Sequence, residues 1–328
     1  MPLTDAATPR PIVILGPTAG GKSDLAVELA ERVPGSGQII GADSMQVYRH
    51  MDAGTAKPSK DLRARVTHHM IDIVEPTERF TVADWLQQAE ALIAGLQAKG
   101  KTPIIVGGTN LYLKALLEGM FEGPSHDEAF RASLEGIEGP ELHKRVSEID
   151  PEAAERIAPN DRKRLVRALE VHRITGEPIT RLQQQWEDDP DKTYRYDPVM
   201  IGMHWPVEQI NPRINLRVKA MFYPDKADPA LAAAACPNGE SLPDETRRLH
   251  EAGLLGEQAR EALGYKQVLE YLEGGRTLEE AFERTKVLTR RFAKQQRTWL
   301  RRFQQVSWLP AQAMSPGEMA QRALGFLR

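Results

Sequence analysis

The chain has 328 residues, of which 41% are hydrophobic and 27% charged, and its formal net charge is −3. That is the make-up of a globular protein large enough for one big domain or two unequal ones. Cys236 is the only cysteine, which excludes an intramolecular disulfide and a thiolate-cluster zinc site, and no run reaches the ~18 apolar residues of a membrane span. Met1 to Arg10 lacks the apolar stretch of a secretory leader, so a reducing, cytoplasmic setting is expected.

Taken in chain order, Pro11 to Leu15 is an apolar run bounded by Pro and Gly and reads as a buried strand. A Gly-rich turn follows, then a helix from about Lys22 with Leu25, Ala26, Leu29 and Ala30 on one face. Gln38 to Gly41 reads as a second strand, Trp85 to Lys99 as a helix stopped at Gly100, and Thr102 to Val106 as a third strand. Leu111 to Leu117 continues as helix. Strands alternating with helices imply a parallel sheet covered on both faces.

The pattern changes near Gly123. Asp127 to Trp186 carries helical periods and no strand; Asn160 is the expected cap of a helix that runs to Gly176. Pro198 to Met203 returns to strand character. Asn211 to Phe222 and Leu278 to Phe303 read as helices, and Val306 to Leu309 as a last strand. The Ala-rich stretch 227–243 reads as loop or short helix. The expected fold is therefore α/β, a P-loop core of residues 1–122 and 198–328 with an all-helical insertion, 123–197.

Gly16-Pro17-Thr18-Ala19-Gly20-Gly21-Lys22-Ser23 fits G-x-x-x-x-G-K-[ST], with a strand before it and a helix after it. Its amides and the helix N-terminus would cradle a diphosphate, Lys22 would add a mobile cation, and the Ser23 hydroxyl could hold Mg²⁺. An ordinary Gly-rich turn would not need those flanks. The usual acidic end of a strand in an ATPase is missing, because the third strand runs into Gly107-Gly108-Thr109. The nearest carboxylate is Asp43, at the C-terminal edge of the sheet where ligands of open α/β folds bind. By itself it is better read as a turn or N-cap aspartate.

The wording around Asp43 adds a resemblance. Asp43-Ser44-Met45-Gln46-Val47-Tyr48, Met51 to Pro58, His68 to Asp72, Gly107 to Tyr112, Arg164 to Val171, Gly264-Tyr265-Lys266 and Thr289 to Trp299 together resemble the adenosine isopentenyltransferase family, which prenylates tRNA. The match runs in order from about Pro11 to Trp308. It implies dimethylallyl diphosphate as donor, held by Gly16 to Ser23, with Arg217 (or Arg213) as a second cation. It implies N6 of the adenosine 3′ of the anticodon as acceptor, Asp43 as the base that takes its proton, and Thr109 beside it. On the same resemblance, Asp43, Ser44, Met45, Gln46 and Thr109 meet the tRNA, as do Arg131, Lys163, Arg164, Leu165, Val166 and Arg167 of the insertion. The segment from Phe222 to Pro243 is longer and more Ala-rich than the family pattern, and there is no Cys/His zinc-finger extension, which favours a bacterial type.

Arg284 to Arg302 has eight cations and no acid, a block suited to the phosphates of an anticodon stem. Arg290, Lys294 and Arg297 are the expected contacts; a solvated face paired with acidic neighbours is the competing reading. His68 and His69 are adjacent and would face opposite ways on a strand, so they cannot share a metal. A small-molecule kinase using the loop for ATP would leave the insertion and the basic helix without a task, and a non-catalytic RNA-binding switch would leave Asp43 without one. No membrane and no obligate protein partner are expected, and a monomer is plausible.

Overall fold

The computed structural model describes residues 8–120, 123–124, 126–184 and 193–327; Trp186, the expected end of the helical stretch, lies outside them. The first elements are β1 (Ile12–Leu15), α1 (Lys22–Ala30), β2 (Gly37–Gly41), α2 (Lys60–Arg65), β3 (His68–His69), α3 (Val82–Gln97), β4 (Thr102–Val106) and α4 (Asn110–Glu118). Five helices follow, α5 (Glu128–Ser133), α6 (Gly139–Ile149), α7 (Pro151–Arg156), α8 (Arg162–Thr175) and α9 (Ile179–Leu182). Then come β5 (Val199–His204), α10 (Val207–Phe222), α11 (Pro229–Ala235), α12 (Leu242–Glu251), α13 (Glu257–Arg260), α14 (Tyr265–Leu272), α15 (Leu278–Leu300), β6 (Val306–Pro310) and α16 (Pro316–Leu324).

The six strands form one sheet in the order β3-β2-β4-β1-β5-β6, and every pairing is parallel. β1 and β4 are buried along their whole length, as expected for strands covered on both faces. From β1 the chain crosses over β4 to reach β2 and later returns to place β5 on the other side. The order reverses at β1, which puts a crevice at the C-terminal ends of β2, β4 and β1. Trp85 of α3 closes the sheet from one face: it is fully buried, its Nε1 donates to Gly41 O at 2.8 Å, and it stacks on Tyr112 at 4.7 Å. Aromatic pairs of this kind add about 1 kcal/mol to the burial of the rings.

Several boundaries differ from the sequence expectation for identifiable reasons. α8 is capped by Asp161, whose Oδ1 accepts from Arg164 N, and not by Asn160; it ends at Gly176 in the left-handed conformation. α10 starts at Val207, four residues before the expected start, because Pro212 falls where only one helical hydrogen bond is lost. α15 ends at Leu300, and its last turn does not extend to Phe303. The 227–243 stretch holds α11, capped by Asp228.

The chain divides into two compact units, one built from the chain up to Leu117 and from Thr193 onward, the other from Glu118–Lys192. The return point precedes Pro198 because Tyr194 packs on Phe303 at 6.3 Å and its hydroxyl accepts from Gln304 N at 2.9 Å. The helical unit has its own core, around Leu142, Val146, Leu165, Ala168 and Val171. Buried Asp150 ties it together by capping α7 through Ala153 N and accepting from Thr180 N and Oγ1 on α9.

Candidate active site

The phosphate loop joins β1 to α1. Ala19 (φ 59°) and Gly21 (φ 85°) are both left-handed, and Gly21 is the N-cap of α1. Backbone of this kind forms an anion-binding concavity, to which α1 adds its positive end. Lys22 folds back over the loop, with Nζ donating to Gly16 O at 3.1 Å and Pro17 O at 2.9 Å. Burial, reinforced by Arg217 and opposed by Asp43, lowers its pKa to about 8. Among the described residues Lys22 has no ion-pair partner.

Three elements from the C-terminal half of the chain brace this loop. Arg217 of α10 donates Nη2 to Thr18 Oγ1, and its buried Nε has no hydrogen-bond partner among the described residues. Burial brings the Arg217 pKa down to about 10, against the pull of Asp43. Arg213, the alternative second cation, donates to Ala19 O at 3.1 Å and lies over Trp205, which itself bonds Gly20 O at 3.0 Å. Gln296 of α15 does two things at once: its Oε1 accepts from Thr18 N at 2.8 Å and its Nε2 donates to Gly108 O at 2.9 Å.

On the other side of the crevice stand the ends of β2 and β4. Asp43 Oδ1 accepts from Met45 N (2.9 Å) and Gln46 N (3.3 Å), so this residue does cap its own turn. Oδ2 accepts no hydrogen bond among the described residues and lies near Gly108 in the same cavity as Lys22. Thr109 locks the neighbouring turn, its Oγ1 accepting from Ser44 N at 2.9 Å and its own N donating to Ala42 O at 3.1 Å. Gly107 makes this junction possible: a Cβ there would sit 2.0 Å from Ala42 O. Gln46 donates to Thr55 O and Ala56 O and so fixes the cavity's rim, while Met45 is half-buried against the core. The cavity, of about 500 Å³, is lined by Thr18 to Asp24, Asp43, Arg213, Arg217, Gln296 and neighbours.

Ser23 and Asp24 enter this cavity from the first turn of α1, and burial raises the Asp24 carboxyl, partly offset by Arg213. No cluster of three His, Cys, Asp or Glu side chains exists among the described residues. One hydroxyl with a carboxylate or two fits a hard cation that keeps several waters and takes its other oxygens from a diphosphate; it does not fit a protein-caged metal. His68 and His69 point apart, to Val66 O and to Gln38 Oε1, both at 2.8 Å.

The residues expected to meet RNA fall into two kinds. On α15, Lys294 is exposed and Arg297 half-buried, with a buried Nη1 that has no hydrogen-bond partner among the described residues, while Arg290 donates to Asn215 Oδ1 at 2.6 Å. Of the eight cations, only Lys286 has an ion pair among the described residues, with Glu283 at 2.5 Å. Among the described residues the other seven have no acidic partner. In the helical unit, Lys163 is exposed, and the Arg164 side chain is 74% exposed and pairs with Asp161. Leu165, in contrast, is 0% exposed in that unit's core, so its side chain cannot touch a partner. Val166 is half-buried beside it. Arg131 and Arg167 both grip the buried Glu170, at 2.7 and 2.6 Å, and so have a framework role.

Gln296, Trp205 and Lys57 are the site residues that sequence reasoning passed over. Lys57 is buried and donates to Tyr48 O (2.6 Å) and to Asp52 and Asp72 (2.8 and 2.5 Å) beneath the rim. Gln296 stood in the sequence only within the Thr289 to Trp299 resemblance; in the structure it belongs to the buried stripe Thr285, Thr289, Ala293, Gln296 and Leu300.

A phosphate loop at the switch point of a parallel sheet, facing a carboxylate with one open oxygen, defines a P-loop α/β protein built around a diphosphate ligand. The sequence matches the IPP transferase family model over residues 46–303. It is 42% identical over 323 residues to a tRNA dimethylallyltransferase of Geobacter sulfurreducens, covering 96% of each chain. Among solved structures it is similar to the tRNA isopentenylpyrophosphate transferase of Bacillus halodurans, with a TM-score of 0.67 at 35% identity over 97% of this chain and 96% of that one. A eukaryotic dimethylallyltransferase captured acting on tRNA superposes with a TM-score of 0.74 at 25% identity, over 96% of this chain and 78% of that one. The chain belongs to the IPP transferase family.

Proposed function

We propose that this chain transfers the dimethylallyl group of dimethylallyl diphosphate to N6 of the adenosine 3′ of the anticodon in tRNA. The reading is carried by the meeting, in one cavity, of a diphosphate cradle and the open Oδ2 of Asp43. The allylic C1–O bond breaks, the C1–N6 bond forms, and diphosphate leaves with the bonding electrons. Charge builds on the departing oxygens, which Lys22, Arg217 and the amides at the start of α1 would neutralise. N6 becomes acidic as it alkylates, and Asp43 takes the proton; Thr109 and Ser44 hold the turn that aims it.

Ser23, with Asp24 or Asp43 nearby, would hold Mg²⁺ chiefly through the donor's own oxygens, where it supplies further charge neutralisation. The acceptor is a loop base that must leave its stack to enter the cavity, and an unpaired loop lowers that cost. Lys294, Arg297 and the other cations of α15 suit the stem phosphates, and Lys163 and Arg164 offer further contacts on the helical unit. Among the described residues no helix is long and apolar enough to cross a membrane.

The test is one incubation of the protein with labelled dimethylallyl diphosphate, Mg²⁺ and unmodified tRNA. Label in N6-isopentenyladenosine is the expected result. ATP consumption with no label in RNA would replace this reading by a kinase.

A further inference from the structure

The segment after α10 forms one wall of the diphosphate cavity. α11 is anchored at both ends: Asp228 Oδ1 caps it through Leu231 N at 3.0 Å, and just past it Asn238 bonds Asp52 beside the cavity rim. Along α10, Arg213, Leu216 and Arg217 share one face by their i, i+3, i+4 spacing. The two guanidiniums reach the phosphate loop, and Leu216 between them is left 55% exposed. Leu231 and Ala234 of α11 and Phe292 of α15, itself 41% exposed, line the same cavity. The lining from the first half of the chain is mixed, with Ile39, Leu62 and Ile71 beside Lys57, Ser59 and His68.

Large apolar side chains left uncovered one turn from two arginines match an amphiphile with an anionic head and a short hydrocarbon tail. We infer that α11 bounds the hydrocarbon end of the donor, and that Leu231 and Ala234 set the longest prenyl chain accepted. Leu231 supplies the bulk that a longer tail would meet. Ala234 leaves the space that a five-carbon tail needs. The inference rests on the prenyl-diphosphate reading above and adds to it the part of the chain that reads the donor's length.

The experiment compares the wild-type protein with Leu231→Ala and Ala234→Phe, using dimethylallyl and geranyl diphosphate as donors and inorganic diphosphate as a probe of the head site. Leu231→Ala should raise the preference for geranyl over dimethylallyl donor by about tenfold or more, and Ala234→Phe should raise the KM for the dimethylallyl donor by about tenfold. Inorganic diphosphate inhibition and the KM for tRNA should stay within about twofold in both, which also reports that the variants are folded. Donor preference unchanged in both variants overturns the inference. A raised KM for tRNA with donor constants intact overturns it too, and assigns α11 to the acceptor. If wild-type protein prenylates tRNA from neither donor, the underlying reading fails instead, and direct calorimetric binding of the two donors still shows whether α11 sorts them by length.

Discussion

One carboxylate oxygen of Asp43 is occupied by the amides of Met45 and Gln46, and this fixes the direction of the other. Asp43→Asn retains an oxygen for those amides and removes the base, so kcat should fall by about 10²–10⁴-fold with donor affinity and melting temperature unchanged. A kcat within tenfold of wild type would leave Asp43 a turn residue only. Lys22 makes a second residue-scale case. With its pKa lowered to about 8, its charge is intact below that pH and lost above it. A bound diphosphate raises the ammonium's pKa, so affinity for inorganic diphosphate should hold to pH 8 and then weaken by about tenfold per pH unit. Calorimetric titrations between pH 7 and 9.5 check this, and a flat profile would remove Lys22 from the head site. The loop was legible in the sequence because its chemistry is local. Asp43 carried two readings; the turn contact falls on Oδ1, and Oδ2 accepts no hydrogen bond among the described residues. Gln296 was illegible because its role exists only where a helix from far along the chain meets the turn after β1.

At the scale of elements, α15 joins two tasks on opposite faces. Its buried stripe packs the core and delivers Gln296, and its other face carries cations of which only Lys286 has an acidic partner among the described residues. Replacing Arg291 and Lys294 by Gln should raise the KM for tRNA and lower the steepness of log K against log salt by roughly one for each phosphate no longer neutralised. Arg290 is a poorer choice, since its bond to Asn215 braces α10. An unchanged salt slope would show that α15 does not grip RNA. The buried strands were legible as unbroken apolar runs, because a parallel strand covered on both faces has no polar side to interrupt it. α11 was not, because an Ala run with prolines at both ends favours helix and turn equally, and the packing against α10 decides the outcome.

Over the whole molecule, the helical unit carries a buried carboxylate, Glu170, held by two arginines. Glu170 is 0% exposed; burial alone would raise its pKa, but Arg131, Arg167 and the amide of Asp127 bring it down to about 2. A depressed carboxyl adds stability that is present above its unfolded pKa and lost as pH falls through the folded one. Glu170→Gln should therefore destabilise the helical unit at neutral pH by about 3 kcal/mol, with the gap to wild type closing between pH ~4.5 and ~2. Hydrogen exchange of α5 and α8 against pH measures it, and a gap that persists at pH 2 would show that shape, not charge, sets the cost. The resemblance offered Arg131 and Arg167 as tRNA contacts; that both face a buried Glu170 is a tertiary fact that no spacing rule contains.

Gly107 has a consequence for how this chain tolerates change over generations. A methyl there would strike the carbonyl of Ala42, an atom that every residue at position 42 would carry. Gly202 is crowded too, but by the ring of Trp308, 2.4 Å from where its Cβ would lie. In a genetic selection, Gly202→Ala should be rescued by a smaller residue at 308. No second-site change at Ala42 should rescue Gly107→Ala, and recovery of such a pair would mean that the ends of β2 and β4 can part. The glycine beside Asp43 has reversion as its only local remedy.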